Sequence, residues 1–464
     1  MGHLPERYEV QPLERPFDGT GERSPHVPGS KSLTNRALLL AALGDGQTVL
    51  NGVLFSDDTE RMLEALGTLG FELEIDRVKA RVVVKGCSGR LPGHEGRTEL
   101  FLGNAGTATR FMTAAMPLAD GGEYVITGIE RMKERPIGEL VEPLREMGAE
   151  IEYLGNEGYP PVLVKGMGKL KGGVVKMRPT LSSQYISALL QVGLYCEEGL
   201  VMEFEGGITS LPYVKMTVEL MRRFGGEVEV NGDWSRIEVR RGMYGVNGEV
   251  NIEPDASNAS YAMGAAAISG SVVEIKHLNA ESLQGDAAFA RELGEMGAKV
   301  EYGENSIVVR GTGTLKGIDA DFNAIPDMVQ TIAVVALFAE GKTTIRDVGN
   351  LRVKETDRLA ALENELSKLG AKVIIEGDDI TIEPSDERLL VNTACGREEK
   401  GYKKPISGDN QVVIETYDDH RMAMSFAMAG LMQAGIVIDD PACVYKTYPT
   451  YFEELERLSA AQRQ

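Results

Sequence analysis

Along this chain, stretches that are apolar on nearly every side alternate with amphipathic ones in a fixed order. Six stretches are apolar all round at helical spacing: ALLLAAL (37–43), TAAMPLA (113–119), ISALLQVGLY (186–195), YAMGAAAI (261–268), IAVVALFA (332–339) and AMSFAMAGL (423–431). Helices of that kind belong in a core. Each is followed by a glycine and a strand-like run, at Gly46, Gly122, Gly199, Gly270, Gly341 and Gly435, with spacings of 76, 77, 71, 71 and 94 residues. A second helix then follows, amphipathic as in Arg61–Leu69 and Leu359–Leu369. It ends on a glycine with alternating residues after it: LGFELEI, MGAEIEY, FGGEVEV, MGAKVEY and LGAKVII, starting at Leu69, Met147, Phe224, Met296 and Leu369. Glycine supplies the left-handed cap, and the period-two tail is a half-buried strand. These second glycines recur every 72 to 78 residues. Two independent marks with one period predict six copies of one unit: helix, strand, helix, then two or three strands.

Six copies divide into three plus three. One lobe is expected over 30–250 and the other over 1–29 with 251–464, with the joint near Asn247–Ile252 and the return near Pro28–Gly29. Strand-like Tyr8–Val10 is expected to complete the last copy's sheet, and the polar stretch Arg388–Asn410 reads as a surface insertion that lengthens the final spacing. The fold class is α/β.

Charge narrows the partners. Among the 464 residues, 70 acids outnumber 49 bases for a formal charge of −21, which argues against nucleic acid or an anionic membrane. An anionic substrate would need a local basic cleft. Cys87, Cys196, Cys395 and Cys443 form no C-x-x-C pair and read as reduced thiols of a cytoplasmic protein, Cys87 as a buried or edge thiol. The opening MGHLPERYEV has no signal-peptide character, and Ile332–Ala339 falls far short of the roughly 20 apolar residues of a membrane span. Five scattered histidines give no metal-ligand spacing, AEGKTT (339–344) lacks the first glycine of a phosphate loop because Ala336 stands there, and Trp234 reads as packing. No metal and no organic cofactor are expected.

Candidate chemistry gathers where the apolar helices begin: GSKSLTNR (29–36), GNAGTATR (103–110), TLSSQ (180–184), PDASNAS (254–260), AIPDMVQT (324–331) and YDDHRMAM (417–424). Capping accounts for such residue types, and for Ser257, Thr107 and Asp418 it is the simplest reading. It does not account for Lys31, Arg36, Arg110, Gln184 and Arg421. A cation at a helix N-terminus opposes the dipole, so something anionic is expected to dock there. The second helices repeat the pattern in RMKERPIGEL (131–140), SLPYVKM (210–216), VKETDRL (353–359) and YKTYPTYFEEL (445–455). Lys354 and Arg358 are expected on one helical face with Glu355 beside them, whereas Lys446 taken alone is a surface lysine.

Together PGSKSLTNRALLLAAL, GNAGTATR, RMKERPIGELV, SSQYISALL, IPD, VKETDRL, YDDHRMAM and KTYPTYFEEL resemble the 5-enolpyruvylshikimate-3-phosphate synthase family, in family order from about residue 28 to 455. The resemblance implies an enolpyruvyl-transferase-like fold of two domains, each of three βαβαββ units with buried helices, an inside-out α/β barrel. It implies transfer of the enolpyruvyl group of phosphoenolpyruvate to the 5-hydroxyl of shikimate 3-phosphate. Carried over by motif, shikimate 3-phosphate would be held by Lys31, Ser32, Arg36, Ser182, Ser183, Gln184, Ser210, Tyr213, Asp327, Asn350 and Lys354. Phosphoenolpyruvate would be held by Lys31, Asn104, Gly106, Arg135, Gln184, Arg358, Arg421 and Lys446. Asp327 is expected as the base and Glu355 as the acid, with His420 or Lys446 sharing that role and Lys31 and Lys446 offsetting charge on the leaving phosphate. Residues divided between two lobes imply closure on binding, and the expected state is a monomer with no macromolecular partner. Glyphosate sensitivity is implied too; Thr109 and Phe111 depart from the methionine and proline common in bacterial and plant members. Two rival readings are the related UDP-N-acetylglucosamine enolpyruvyl transferases, which carry Lys-Asn where this chain has Lys31-Ser32, and a non-catalytic phosphosugar-binding protein on the same scaffold.

Overall fold

In the computed structural model residues 4–178, 180–246, 248–384 and 411–460 are described, so Arg388–Asn410, Cys395 and Asn247 lie outside the described residues. One sheet pattern recurs. A central strand has a parallel neighbour on one side and, on the other, an antiparallel strand that forms a hairpin with the fourth. In the second copy the order is Arg97–Phe101, Glu123–Thr127, Val162–Lys165, Ile151–Tyr153. Four further sheets repeat this order, and a sixth has three strands: Val412–Ile414, Ile436–Asp439 and Arg7–Glu9. In four of the sheets the parallel neighbour directly precedes the buried helix, since two parallel strands need a crossover between them and that helix is the crossover.

The chain forms two compact units: a central one, Gly29–Glu253, and a terminal one, Met1–Pro28 with Pro254–Gln464. Each closes on itself through a strand borrowed across its ends. In the central unit Gly248–Asn251, the last strand, pairs in parallel with Gln47–Asn51 of the first sheet. In the terminal unit the arm supplies Asp18–Gly19 beside Val272–Lys276, and Arg7–Glu9 antiparallel to Ile436–Asp439. The ends of the central unit are held by Ser30 N–H donating to Glu253 O at 2.8 Å. A Cβ on Gly29 would fall 1.8 Å from Gly52 O, so this approach requires glycine.

The six first helices are Lys31–Leu43, Gly106–Ala115, Ser183–Gly193, Ala256–Ser269, Val329–Ala336 and His420–Met432, and all are buried along their length. Three such helices meet tightly only where residues are small: a Cβ on Gly264 would lie 2.9 Å from Met428 Sδ and 3.2 Å from Thr331 Cγ2. The second helices include Asp57–Thr68, Leu211–Arg223 and Arg358–Lys368.

Several sequence expectations need correction. Helix Arg358–Lys368 begins at Arg358 because Asp357 accepts from the N–H groups of Leu359 and Ala360, so Lys354 and Glu355 precede the helix instead of sharing its face with Arg358. Ser257, Thr107 and Asp418 are not the caps. Asp255 and Asp419 cap their helices, and Thr107 lies inside its helix. Trp234 packs at the surface: it sits half-buried in the turn of the Val228–Val230/Arg236–Val239 hairpin with the Lys215 ammonium 5.4 Å from its ring.

Candidate active site

In the central unit four helix starts carry the expected residues. Ser30 caps helix Lys31–Leu43 by accepting from Leu33 N–H, and Lys31 Nζ lies 3.3 Å from Asp58. One turn on, the Arg36 guanidinium is buried among neutral acceptors. It donates to Thr217 Oγ1 (2.7 Å), Ser32 O (2.9 Å), Ser187 Oγ (3.1 Å) and Tyr213 O (3.4 Å), with the Phe111 ring centroid 5.4 Å away. Burial lowers its pKa to about 10. A cation taken out of water without a carboxylate gains from an anion that comes to it.

Arg135 lies against the start of helix Gly106–Ala115, donating to Asn104 O and Oδ1 at 3.1 Å each. The fit needs Gly106, since a Cβ there would lie 2.8 Å from the guanidinium. Arg110 ties the same helix to the loop after Arg135, through Gly106 O and Pro136 O; Tyr185 Oη donates to Pro136 O as well. Arg110 is thus a brace. Gln184 reaches Thr107 Oγ1 at 3.4 Å, Ser182 caps Gln184's helix, and Ser183 is buried. Ser210 stands in the left-handed region (φ 54°) directly before Leu211–Arg223, the helix that carries Tyr213.

The terminal unit brings its own set into one buried ion cluster. Arg358, 1 % exposed, donates to Asp419 (Nε to Oδ2, 2.7 Å), Glu355 (2.8 Å) and Asp327 (3.2 Å). Burial alone would lower its pKa, but these three carboxylates prevail and raise it. Arg421 donates to Asp327 Oδ2 (2.7 Å), Ser257 Oγ (3.2 Å) and Tyr261 Oη (3.4 Å). Lys446 Nζ stands 3.6 Å from Glu355 Oε1 and is buried, not a surface lysine, because it closes the 3-10 turn Pro441–Lys446. His420 Nδ1 lies 3.6 Å from Asp419 Oδ1, both side chains fully buried. Asn350 and Lys354 lie on the segment leading to Glu355, Asn350 buried and Lys354 half-buried.

Two buried carboxylates of these clusters escaped the sequence reading. Asp419 holds Arg358 and also accepts from Arg421 N–H; the pair Asp418-Asp419 left open which of them faces inward. Asp58 answers Lys31 from a different element, which local spacing does not reveal. The expectation that mouth cations await an anion also changes: in the terminal unit Asp327, Glu355 and Asp419 already meet them.

Repeated α/β units whose buried helices begin beside Arg, Lys and carboxylate side chains define a class of scaffold suited to small, multiply charged anions. The comparisons narrow the class. The model of the EPSP synthase (3-phosphoshikimate 1-carboxyvinyltransferase) family matches residues 24–455. A 3-phosphoshikimate 1-carboxyvinyltransferase of Vibrio atlanticus (strain LGP32) is 44% identical, covering 98% of this chain and all of that one. The chloroplastic enzyme 1 of Nicotiana tabacum is 43% identical over 98% of this chain and 85% of its own. The solved EPSP synthase of Acinetobacter baumannii superposes with a TM-score of 0.77 at 28% identity, covering 97% of this chain and 98% of that one. This chain belongs to the EPSP synthase family.

Proposed function

We infer that this chain transfers the enolpyruvyl group of phosphoenolpyruvate to the 5-hydroxyl of shikimate 3-phosphate and releases phosphate, the step that leads toward chorismate and the aromatic amino acids. The family match across nearly the whole chain carries the reading. The related UDP-N-acetylglucosamine enolpyruvyl transferases and a non-catalytic binder are not favoured.

The roles of individual residues are our proposal. In the terminal unit Arg358, Arg421 and Lys446 would take the carboxylate and phosphate of phosphoenolpyruvate, exchanging part of their present carboxylate contacts for the substrate's. In the central unit Lys31, Asn104, Gly106, Arg135 and Gln184 would serve the same substrate. Ser32, Arg36, Ser182, Ser183, Ser210, Tyr213, Asn350 and Lys354 would take shikimate 3-phosphate with Lys31, Gln184 and Asp327. Asp327 removes the 5-hydroxyl proton as the oxygen bonds to C2 of phosphoenolpyruvate, and a proton reaches C3 to give a tetrahedral adduct. Loss of a C3 proton then expels phosphate, whose charge Lys31 and Lys446 offset. Glu355 is the group proposed at C3. Both of its oxygens face cations, Arg358 and Lys446, which favour its ionised form, and Lys446 or His420 is proposed to share the acid role.

Each unit is proposed as one domain of the enzyme, and the working state as a cytoplasmic monomer. Among the described residues no helix is long and apolar enough to cross a membrane. Sedimentation tests the monomer and cell fractionation the compartment. The decisive assay is phosphate release from phosphoenolpyruvate with and without shikimate 3-phosphate. Release that depends on shikimate 3-phosphate is expected; no release, or release with UDP-N-acetylglucosamine instead, overturns the reading.

A further inference from the structure

Among the described residues, Tyr417 (φ 56°) and Asp418 (φ 53°) are the only adjacent non-glycine pair in the left-handed region. For a tyrosine this backbone is unfavourable, and such conformations persist only where the surroundings impose them. The repeat supplies an internal control. Left-handed residues after the central strand recur from copy to copy (Gly52, His277, Asp347, Asp440) and therefore belong to the fold. Entry to a first helix is different: among the described residues the five sister entries use no left-handed residue other than glycine. The departure is confined to the segment that delivers Asp419, His420 and Arg421.

The contacts that hold this segment come from one helix away. Glu365 is fully buried on helix Arg358–Lys368, seven residues and two turns below Arg358 and so on the same face. It accepts from Tyr417 Oη (2.9 Å), Glu415 N–H (3.1 Å) and Lys368 Nζ (2.7 Å). Lys368 also donates to Val413 O at 3.1 Å, and Arg358 bonds Asp419. The helix thus grips the incoming segment at every second residue from Val413 to Asp419. Burial raises the Tyr417 phenol to about 12, so it remains a donor to Glu365 at neutral pH.

We propose that Glu365 and Tyr417 are positioning residues for phosphoenolpyruvate binding: their half-buried hydrogen bond holds the left-handed step that sets Asp419, Arg421 and Arg358 in register. Neither side chain is placed on substrate. The proposal rests on the function inferred above. The group it acts on is the terminal unit's Arg358–Arg421 pair, so its effect falls chiefly on phosphoenolpyruvate; Asp327, which both arginines hold, carries the remainder into turnover.

The test is steady-state kinetics of full-length Tyr417→Phe against the unaltered chain, with thermal melting of both. KM for phosphoenolpyruvate is expected to rise about tenfold, with KM for shikimate 3-phosphate within twofold and the melting temperature within a few degrees. A rise shared equally by both substrates, or a change below twofold in both, overturns the proposal. If Tyr417→Phe does not fold, Glu365→Gln gives the same readout; it keeps an oxygen for the phenol but loses its charge, and the same selective rise, smaller, is expected. Failure of the functional reading is separate, because there the unaltered chain itself releases no phosphate.

Discussion

Gly106 shows how much one missing carbon decides. Its Cα leaves just the space that the Arg135 guanidinium fills, and a methyl there would lie 2.8 Å from a guanidinium nitrogen. Gly106→Ala is therefore expected to push Arg135 off Asn104 and raise KM for phosphoenolpyruvate about tenfold, equivalent to about 1.4 kcal/mol, with kcat changed much less. Asp327→Asn keeps the shape but removes the base and the negative charge that meets Arg421 Nη2; turnover is expected to fall at least about 100-fold in the phosphate-release assay. The cysteines behave oppositely to reactive groups. Burial pushes the Cys87 thiol up to about 11 and Cys196 up to about 12, and raises Cys443 as well. Thiolates are the nucleophilic form, so peptide mapping after iodoacetamide at pH 7.5 is expected to find all three unlabelled in the folded protein.

At the scale of elements, the caps set where chemistry begins. Asp357 starts helix Arg358–Lys368 and so delivers Arg358 at its mouth; Asp357→Ala is expected to destabilise the protein by about 1 kcal/mol, read as a lower urea midpoint with unchanged slope. Much at this scale was legible in the sequence. The six all-apolar helices, their glycine-marked strands and the strand near Tyr8 follow from periodicity, because burial on every side leaves a compositional trace. Which polar residue of a mouth caps and which reaches outward was not legible. Asp255 and Ser257, or Asp418 and Asp419, differ only in backbone direction, and that is set by packing against other copies. Lys446 looked like a surface lysine for the same reason: Glu355, nearly a hundred positions away, answers it.

For the molecule as a whole, the acidic balance and the basic sites are reconciled by pairing. Arg358 and Arg421 are buried against carboxylates, so the net charge of −21 does not have to be overcome by bare cations. The two units differ in how they do this. Arg36 of the central unit is surrounded by hydroxyls and carbonyls, whereas Arg358 of the terminal unit meets three carboxylates. Residues 29–253 expressed alone are expected to fold cooperatively, seen as a single melting transition, because their sheets are complete without the rest of the chain.

That completeness comes from the last strand, Gly248–Asn251, lying beside Gln47–Asn51 of the first sheet, with Ser30 bonded to Glu253. A ring of three equivalent modules has no intrinsic beginning. Fusing position 253 to position 29 and cutting instead at the exposed hairpin tip around Val78 would give a circular permutant with the same neighbours throughout. The order in which this region is translated is thus a matter of history and not of stability.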